Sequence, residues 1–169
     1  MLKRMFVTVS MLSLLCSNAV YAGSRYPYDS NIRSDISTYE QQTGQHVLTP
    51  TWLPPNYEQI NTRLAGKRLL AITYAQEHRH DGSIDMQVIS GVAEIKDIHL
   101  SKIKLENGRT AYFKEERLEG PFDNVPSDSD YVRLYFYDSG LLYTLGMGSK
   151  AISTVKMKRI IIKVANSMS

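Results

Sequence analysis

Apolar and polar residues alternate with a period of two over most of the chain from Tyr57 onward. Such alternation, with β-branched and aromatic residues at many apolar positions, is typical of strands that bury one face. The pattern predicts strands over residues 57–64, 67–75, 83–90, 98–106, 109–116, 130–138 and 141–147.

Pairs of turn-forming residues separate many of these segments. They are Ala65-Gly66, Asp81-Gly82, Asn107-Gly108 and Ser139-Gly140. Asn-Gly and Asp-Gly favour two-residue hairpins, because both central residues of such a turn adopt positive φ. Short turns join only antiparallel neighbours, so we expect a curved antiparallel meander sheet of about six or seven strands.

A helical pattern replaces the alternation near both ends of the chain. Ile32, Ile36 and Tyr39 share one face of a short helix that Ser30 can cap and Gly44 can close. A longer apolar stripe near the C-terminus consists of Met157, Ile160, Ile161, Val164, Ala165 and Met168. A sheet with one apolar face needs a cover, which this amphipathic helix can supply. The predicted fold class is therefore α+β.

The single tryptophan, Trp52, lies among prolines at positions 50, 54 and 55. Those prolines exclude a regular helix, because they lack an N–H donor and hold the preceding residue extended. A ligand platform would need an exposed ring, whereas large apolar side chains are usually buried. We expect Trp52 to plug one end of the core.

The first 22 residues have the layout of a secretory signal peptide. Lys3 and Arg4 precede a short apolar stretch, and Val20-Tyr21-Ala22 places small residues at the cleavage motif. The apolar stretch is shorter than the ~20 residues that span a bilayer. We therefore predict a signal peptide over 1–22, a lead with a short helix over 23–45, and one domain over 46–169, in a secreted or extracytoplasmic protein.

Cysteine and charge narrow the function classes further. Cys16 is the only cysteine, so cleavage after Ala22 would leave a mature protein with no disulfide, no thiolate ligand and no cysteine nucleophile. The sequence does not decide whether Cys16 ever carries a lipid. Loss of Lys3 and Arg4 lowers the formal net charge from +3 to +1. Because nucleic-acid binding needs a clustered basic face, we expect no nucleic-acid partner.

The order of several short segments resembles a known family. An extended stretch over 50–57 contains Trp-Leu-Pro-x-x-Tyr, and an Asn-Gly pair precedes the tyrosine-bearing strand at 107–113. A Leu-Tyr-Phe-Tyr-Asp-Ser-Gly hairpin and a last helix ending in Ala-Asn-Ser-Met follow. These features resemble the exported bacterial domain-of-unknown-function 4367 family, over about residues 47–168. The resemblance implies a secreted or membrane-tethered module of Gram-positive bacteria, and it implies no catalytic residues.

Two motifs resemble ligand-binding sites, one for a dinucleotide and one for zinc, but each also has a simpler structural explanation. Gly146 and Gly148 match a Gly-x-Gly-x-x-Ala dinucleotide fingerprint, but too little chain follows to complete that fold, so we expect these glycines to turn a strand into a helix. His78, His80 and Asp81 could bind zinc in a metal-dependent hydrolase, although Asp81-Gly82 favours a solvated hairpin tip. We expect no cofactor and assign no metal site, and the histidine cluster remains the alternative.

Tyrosine is the unusual component of the composition, with 11 copies. Tyr131, Arg133, Tyr135 and Tyr137 alternate with apolar residues and so share one face of a strand, here named the tyrosine face. This face is either ordinary sheet surface or a recognition surface. The leading hypothesis is an exported, non-enzymatic binding domain that uses it to contact a protein, peptide or envelope component.

A weaker contact with an anionic membrane surface is a further possibility. Lys156, Arg159 and Lys163 lie on the side of the C-terminal helix opposite the apolar stripe. Each basic residue near such a surface contributes ~1 kcal/mol, so three would bind only marginally.

Overall fold

The computed structural model describes residues 32–76, 79–92, 100–118 and 129–169. It contains helices α1 (Ile32–Thr43) and α2 (Thr154–Asn166). Its strands are β1 (Tyr57–Ala65), β2 (Leu69–Gln76), β3 (Arg79–Ser90), β4 (Ser101–Lys104), β5 (Thr110–Leu118), β6 (Ser129–Asp138) and β7 (Leu141–Ser149). The predicted signal peptide lies outside the described residues. Within the described ranges, neither helix combines the length and apolar composition needed to cross a membrane.

The strands form one antiparallel sheet in the order β1-β2-β3-β7-β6-β5-β4. The predicted α+β fold with an antiparallel sheet is thereby confirmed. The order contains one crossover: two meanders, β1–β3 and β4–β7, meet where β3 pairs with β7. Hairpin turns specify neighbours only within each meander. The β3–β7 pairing makes both strands central, which lets their inward side chains be fully buried.

One face of the sheet, the inner face, carries the core. Alternate residues of the central strands are buried on it, as expected for a period of two. They are Leu70, Ile72 and Tyr74 of β2; Ile84, Met86 and Val88 of β3; Leu141, Tyr143, Leu145 and Met147 of β7; and Val132, Leu134 and Phe136 of β6.

Helix α2 covers the inner face over β6 and β7. Its Met157, Ile161, Val164 and Ala165 are fully buried in the same core. Burial of a large apolar side chain stabilises the fold by ~1.5–3 kcal/mol. The predicted apolar stripe is confirmed, and packing rather than capping holds the helix, since Ser153 makes no side-chain cap bond.

Helix α1 packs on β1 and β2 and is held by a tyrosine. Tyr39 is fully buried, and its hydroxyl lies 3.2 Å from the carbonyl oxygens of Arg68 and Val88. The chain after α1 then crosses the core, where the Leu48 N–H donates to the hydroxyl of Tyr143 over 3.0 Å. These bonds satisfy polar groups that burial would otherwise leave unpaired.

The proline-rich segment pairs with the C-terminus of the chain. Thr49 and Ser169 exchange backbone hydrogen bonds of 3.2 and 3.3 Å. Trp52 is partly buried against the core, and the Lys163 ammonium lies 4.0 Å from its ring centroid. The ring therefore closes one end of the core, as predicted for a plug.

Three of the four predicted turns link strands as expected, and one does not. Gly66, Gly108 and the Ser139-Gly140 pair have positive φ between strands. Gly82 instead lies inside β3 with a φ of 81°, and its carbonyl accepts a 2.6 Å bond from the Tyr57 hydroxyl. The prediction of a hairpin tip at Asp81-Gly82 is therefore wrong, because Tyr57 holds this glycine within the sheet.

Candidate functional site

The tyrosine face lies on β6 and points away from both helices. Its residues are only partly buried, whereas their neighbours Val132, Leu134 and Phe136 are fully buried on the inner face. The division of β6 into a solvent-facing side and a buried side agrees with the alternation predicted from the sequence. The solvent-facing side belongs to the second face of the sheet, called the outer face below.

Strand pairing places further polar residues beside the tyrosine face. Tyr135 stands opposite Tyr112 of β5 on one side and Thr144 of β7 on the other. Lys102 of β4 stands opposite Tyr112, so Lys102, Tyr112 and Tyr135 form one row across three strands. Tyr112 was missed by sequence reasoning, because the register of β5 against β6 depends on strands joined by a long connection.

Tyr131 packs against two glycines of β7. A Cβ at Gly148 would lie 2.7 Å from Tyr131 Cδ2, and a Cβ at Gly146 would overlap the Tyr131 hydroxyl. The expectation that these glycines turn a strand into a helix is wrong, because both lie inside β7 and α2 begins at Thr154. They are glycines because the Tyr131 side chain occupies the space above them.

Asp85 of β3 adds a partly buried carboxyl to this surface. It stands opposite Thr73 and Gly146, and the Thr73 hydroxyl donates a 3.0 Å bond to its Oδ1. Burial raises the pKa of Asp85, and the Thr73 bond opposes that rise. Burial, followed by the nearby charge of Asp85, raises the pKa of Tyr131 to about 12. The sequence gives no sign that Asp85 lies near Tyr131, because their proximity depends on the pairing of β3 with β7.

Charged side chains continue the surface on β5 and β6. The Glu116 carboxylate lies 2.7 Å from Lys114 Nζ and 3.6 Å from a guanidinium nitrogen of Arg133. The Arg133 guanidinium is also 5.0 Å from the centroid of the Tyr131 ring. Arg133 is thus positioned between an aromatic face and a carboxylate, which fixes its orientation on the surface.

The structure leaves the alternative histidine site untested. His78 lies outside the described residues, as do the side chains of His80 and Asp81, although their backbone belongs to β3. Across the side chains that are described, no cluster of three or more His, Cys, Asp or Glu residues could hold a metal ion. The metal-dependent hydrolase stays a prediction.

The basic residues of α2 have different environments. Lys156 and Arg159 are exposed, and the neighbouring Val155 is 63% exposed. Lys163 is also exposed, but its ammonium lies over the Trp52 ring, and Lys158 Nζ lies 4.2 Å from the centroid of the Phe113 ring. The membrane contact through Lys156, Arg159 and Lys163 also stays a prediction.

Comparisons with known proteins give no relative from which a site could be transferred. No family model, curated protein or solved structure matches this chain. The resemblance to the domain-of-unknown-function family therefore stays a prediction that rests on the short motifs, and function must be argued from the surface itself.

Proposed function

We propose that the protein is an exported, non-enzymatic binding domain that contacts a protein, peptide or cell-envelope component through the tyrosine face. The observation that carries the proposal is the asymmetry of the sheet. In the described part of the chain, α1, α2 and the segment around Leu48 share one core with the inner face. The outer face presents tyrosine, arginine, lysine and glutamate side chains instead.

The composition of the outer face suits recognition. Tyrosine offers a large amphipathic contact area with few rotatable bonds, so ordering it on binding costs little entropy. Tyr112 and Tyr135 are direct cross-strand neighbours, and Tyr137 lies two residues along β6. Arg133 adds a guanidinium whose position is already set. These groups form a continuous patch, and they stand on strands rather than on loops, which favours a preorganised site.

The proposal is tested by capture from cell-envelope extract. The wild-type protein and a Tyr135→Ala, Tyr137→Ala variant are immobilised in equal amounts. We expect the variant to lose components that the wild type retains. A Val155→Ala, Lys67→Ala variant is the matched control, because both residues are exposed and belong neither to the tyrosine face nor to the predicted membrane contact.

Two readouts decide between outcomes. Circular dichroism and thermal melting first establish that each variant is folded. Chemical-shift changes in the wild type, on addition of a captured component, should then map to β5 and β6. Equal capture by wild type and the tyrosine variant, or shifts confined to α2, would reject the tyrosine face.

A further inference from the structure

We propose that the ligand of the tyrosine face is a linear polysaccharide bearing carboxylate groups, bound along the row Lys102–Tyr112–Tyr135. This inference rests on the proposed function and names its chemical class of ligand. It follows from three properties of the outer face: the pairing of its strands, its charge, and its combination of aromatic and carboxylate side chains.

Strand pairing limits how this surface can hold an extended chain. β5 pairs with both β4 and β6, and β6 pairs with both β5 and β7. Extended peptides are commonly bound by adding a strand to an open sheet edge, through main-chain hydrogen bonds. The backbones of β5 and β6 are already engaged in ladders. A ligand lying over β5 and β6 must therefore be recognised by side chains, which suits a polysaccharide, whereas an extended peptide would add to the outer edge of β4, the last strand of the sheet.

The charge of this half of the outer face favours an anion. Among the side chains that the structure describes, strands β4 to β6 contribute four basic ones and one acidic one here; they are Lys102, Lys104, Lys114, Arg133 and Glu116. Lys102 and Lys104 are exposed. Glu116 lies between Lys114 and Arg133 and offsets part of their charge. The net positive charge is complementary to carboxylates spaced along a chain.

The tyrosines add a contact that sugar rings can use. The face of an aromatic ring is electron-rich, so it attracts the weakly positive C–H groups of one side of a pyranose. Neighbouring strands lie ~4.8 Å apart, so Lys102 is ~10 Å from Tyr135 across the row. A sugar ring over Tyr112 or Tyr135 would then place a carboxylate within reach of Lys102 or Arg133.

Glu116 adds a hydrogen-bond acceptor to this surface. Bases also stack on aromatic side chains while cations contact phosphates, so single-stranded DNA is the competing class to be tested. The Glu116 carboxylate repels phosphates and sugar carboxylates alike, but it accepts hydrogen bonds from hydroxyl groups, which sugars supply in abundance. The surface thus combines ring faces, cations and a hydroxyl acceptor, which together match an acidic polysaccharide.

Titration calorimetry with defined polymers tests the inference. Polygalacturonate, alginate and hyaluronate are the carboxylated probes, and dextran is the uncharged one. Poly-L-glutamate and single-stranded DNA represent the competing classes. We expect binding to at least one carboxylated polysaccharide, none to dextran, and an affinity that falls with added salt, because exposed charges are screened. Tighter binding of poly-L-glutamate or DNA, or failure of all three carboxylated probes, would overturn the inference.

Two substitutions locate the binding on this row. Tyr135→Ala should weaken binding roughly tenfold, a size typical of losing one aromatic stacking contact. Lys102→Glu should weaken it to a similar extent, and because Lys102 is exposed on the edge strand β4 this variant should fold normally. Lys67→Glu in the exposed turn between β1 and β2 makes the same charge change elsewhere and should bind like the wild type. Equal losses in Lys102→Glu and Lys67→Glu would indicate a general charge effect and contradict the row.

The two proposals fail in different ways. If the carboxylated polymers do not bind, while envelope capture still depends on Tyr135 and Tyr137, the polysaccharide is wrong and the tyrosine face stands. If the polymers bind equally well to wild type and to Tyr135→Ala, both proposals fail, because the binding surface lies elsewhere.

Discussion

The side chain of Tyr131 occupies the space that a Cβ at Gly146 would need, because that atom would overlap the Tyr131 hydroxyl. Tyr131 stands opposite Gly148 in the β6–β7 pairing, so its ring reaches along β7 past two glycines. Glycine weakens a strand interior by roughly 0.5–1 kcal/mol relative to alanine. Contact with the tyrosine ring offsets that cost, and it explains two glycines in a central strand.

This contact predicts whether replacing Gly146 stabilises or destabilises the protein. Gly146→Ala should destabilise the protein by about 2 kcal/mol, the usual size of overpacking, although alanine is otherwise better than glycine in a strand. Gly146 has no positive φ, so the cost should be steric alone. Urea unfolding of the purified variant measures the free-energy change.

A double-mutant cycle supplies the control for this prediction. In a Tyr131→Ala background the same Gly146→Ala change should become neutral or stabilising, since the overlapping hydroxyl is gone. A Gly146→Ala variant at least as stable as the wild type, with Tyr131 present, would show that the two side chains do not compete for this space.

Asp85 predicts a dependence of stability on pH. Burial raises the pKa of Asp85 in the folded protein above its ordinary value, so the folded state retains this proton at a pH where the unfolded chain has lost it. The resulting contribution to stability is complete below the unfolded pKa and is lost as pH rises through the folded pKa. Asp85→Asn removes this titration, so the variant should gain stability over the wild type as the pH approaches neutrality.

Urea unfolding across that pH range measures the gain for Asp85→Asn. Thr73→Val is the companion variant, and it should change the stability in the opposite direction. It removes the hydroxyl that donates to the Asp85 carboxylate over 3.0 Å and should destabilise the protein at neutral pH. A constant difference between wild type and Asp85→Asn at all pH values would contradict a raised pKa for Asp85.

Two buried tyrosine hydroxyls should differ in their contribution to stability. Tyr143→Phe removes the acceptor of the Leu48 N–H and leaves a buried donor unpaired, which should cost about 1–3 kcal/mol. Tyr39→Phe leaves carbonyl groups instead, and that of Arg68 still accepts the Ser90 N–H over 3.0 Å. Its cost should stay nearer 1 kcal/mol. Thermal melting of both variants shows which loses more stability. A larger loss for Tyr39→Phe than for Tyr143→Phe would contradict this prediction.

Trp52 provides an optical test of the closed end of the core. Because it is the only tryptophan, its fluorescence, excited selectively over that of the 11 tyrosines, reports on this site. Lys163→Ala removes the ammonium 4.0 Å from the ring centroid, so emission should shift to longer wavelength and quenching by acrylamide should increase. The stability loss should be roughly 0.5–1 kcal/mol, typical of a cation–π contact. Lys156→Ala on the same helix should leave the spectrum unchanged, and an unchanged spectrum in Lys163→Ala would disprove the contact.

Most of the fold could be predicted because its signals are local. The period-two runs predicted the strands, Asn107-Gly108 and Ser139-Gly140 predicted two turns, and the stripe including Met157 and Ile161 predicted α2. One exception was Asp81-Gly82, where the same turn chemistry serves an irregular position inside β3. There a distant tyrosine, Tyr57, decides the role of the glycine.

The candidate site was predictable only along a single strand. Alternation placed Tyr135 and Tyr137 on one face of β6, but nothing in the sequence placed Tyr112 or Lys102 beside them. The association of Asp85 with Tyr131 also requires β3 to pair with β7, although residues 91–140 lie between the two strands in the chain. Local propensity does not encode pairing over that distance.

Local sequence patterns were enough to predict the strand and helix segments, the side of β6 that faces water, and the apolar stripe of α2. The strand order, the row Lys102–Tyr112–Tyr135, and the packing of Tyr131 against Gly146 and Gly148 became apparent only in the folded molecule. Side-chain alternation and turn geometry act between near neighbours, whereas the register between distant strands is set by burial of the whole inner face.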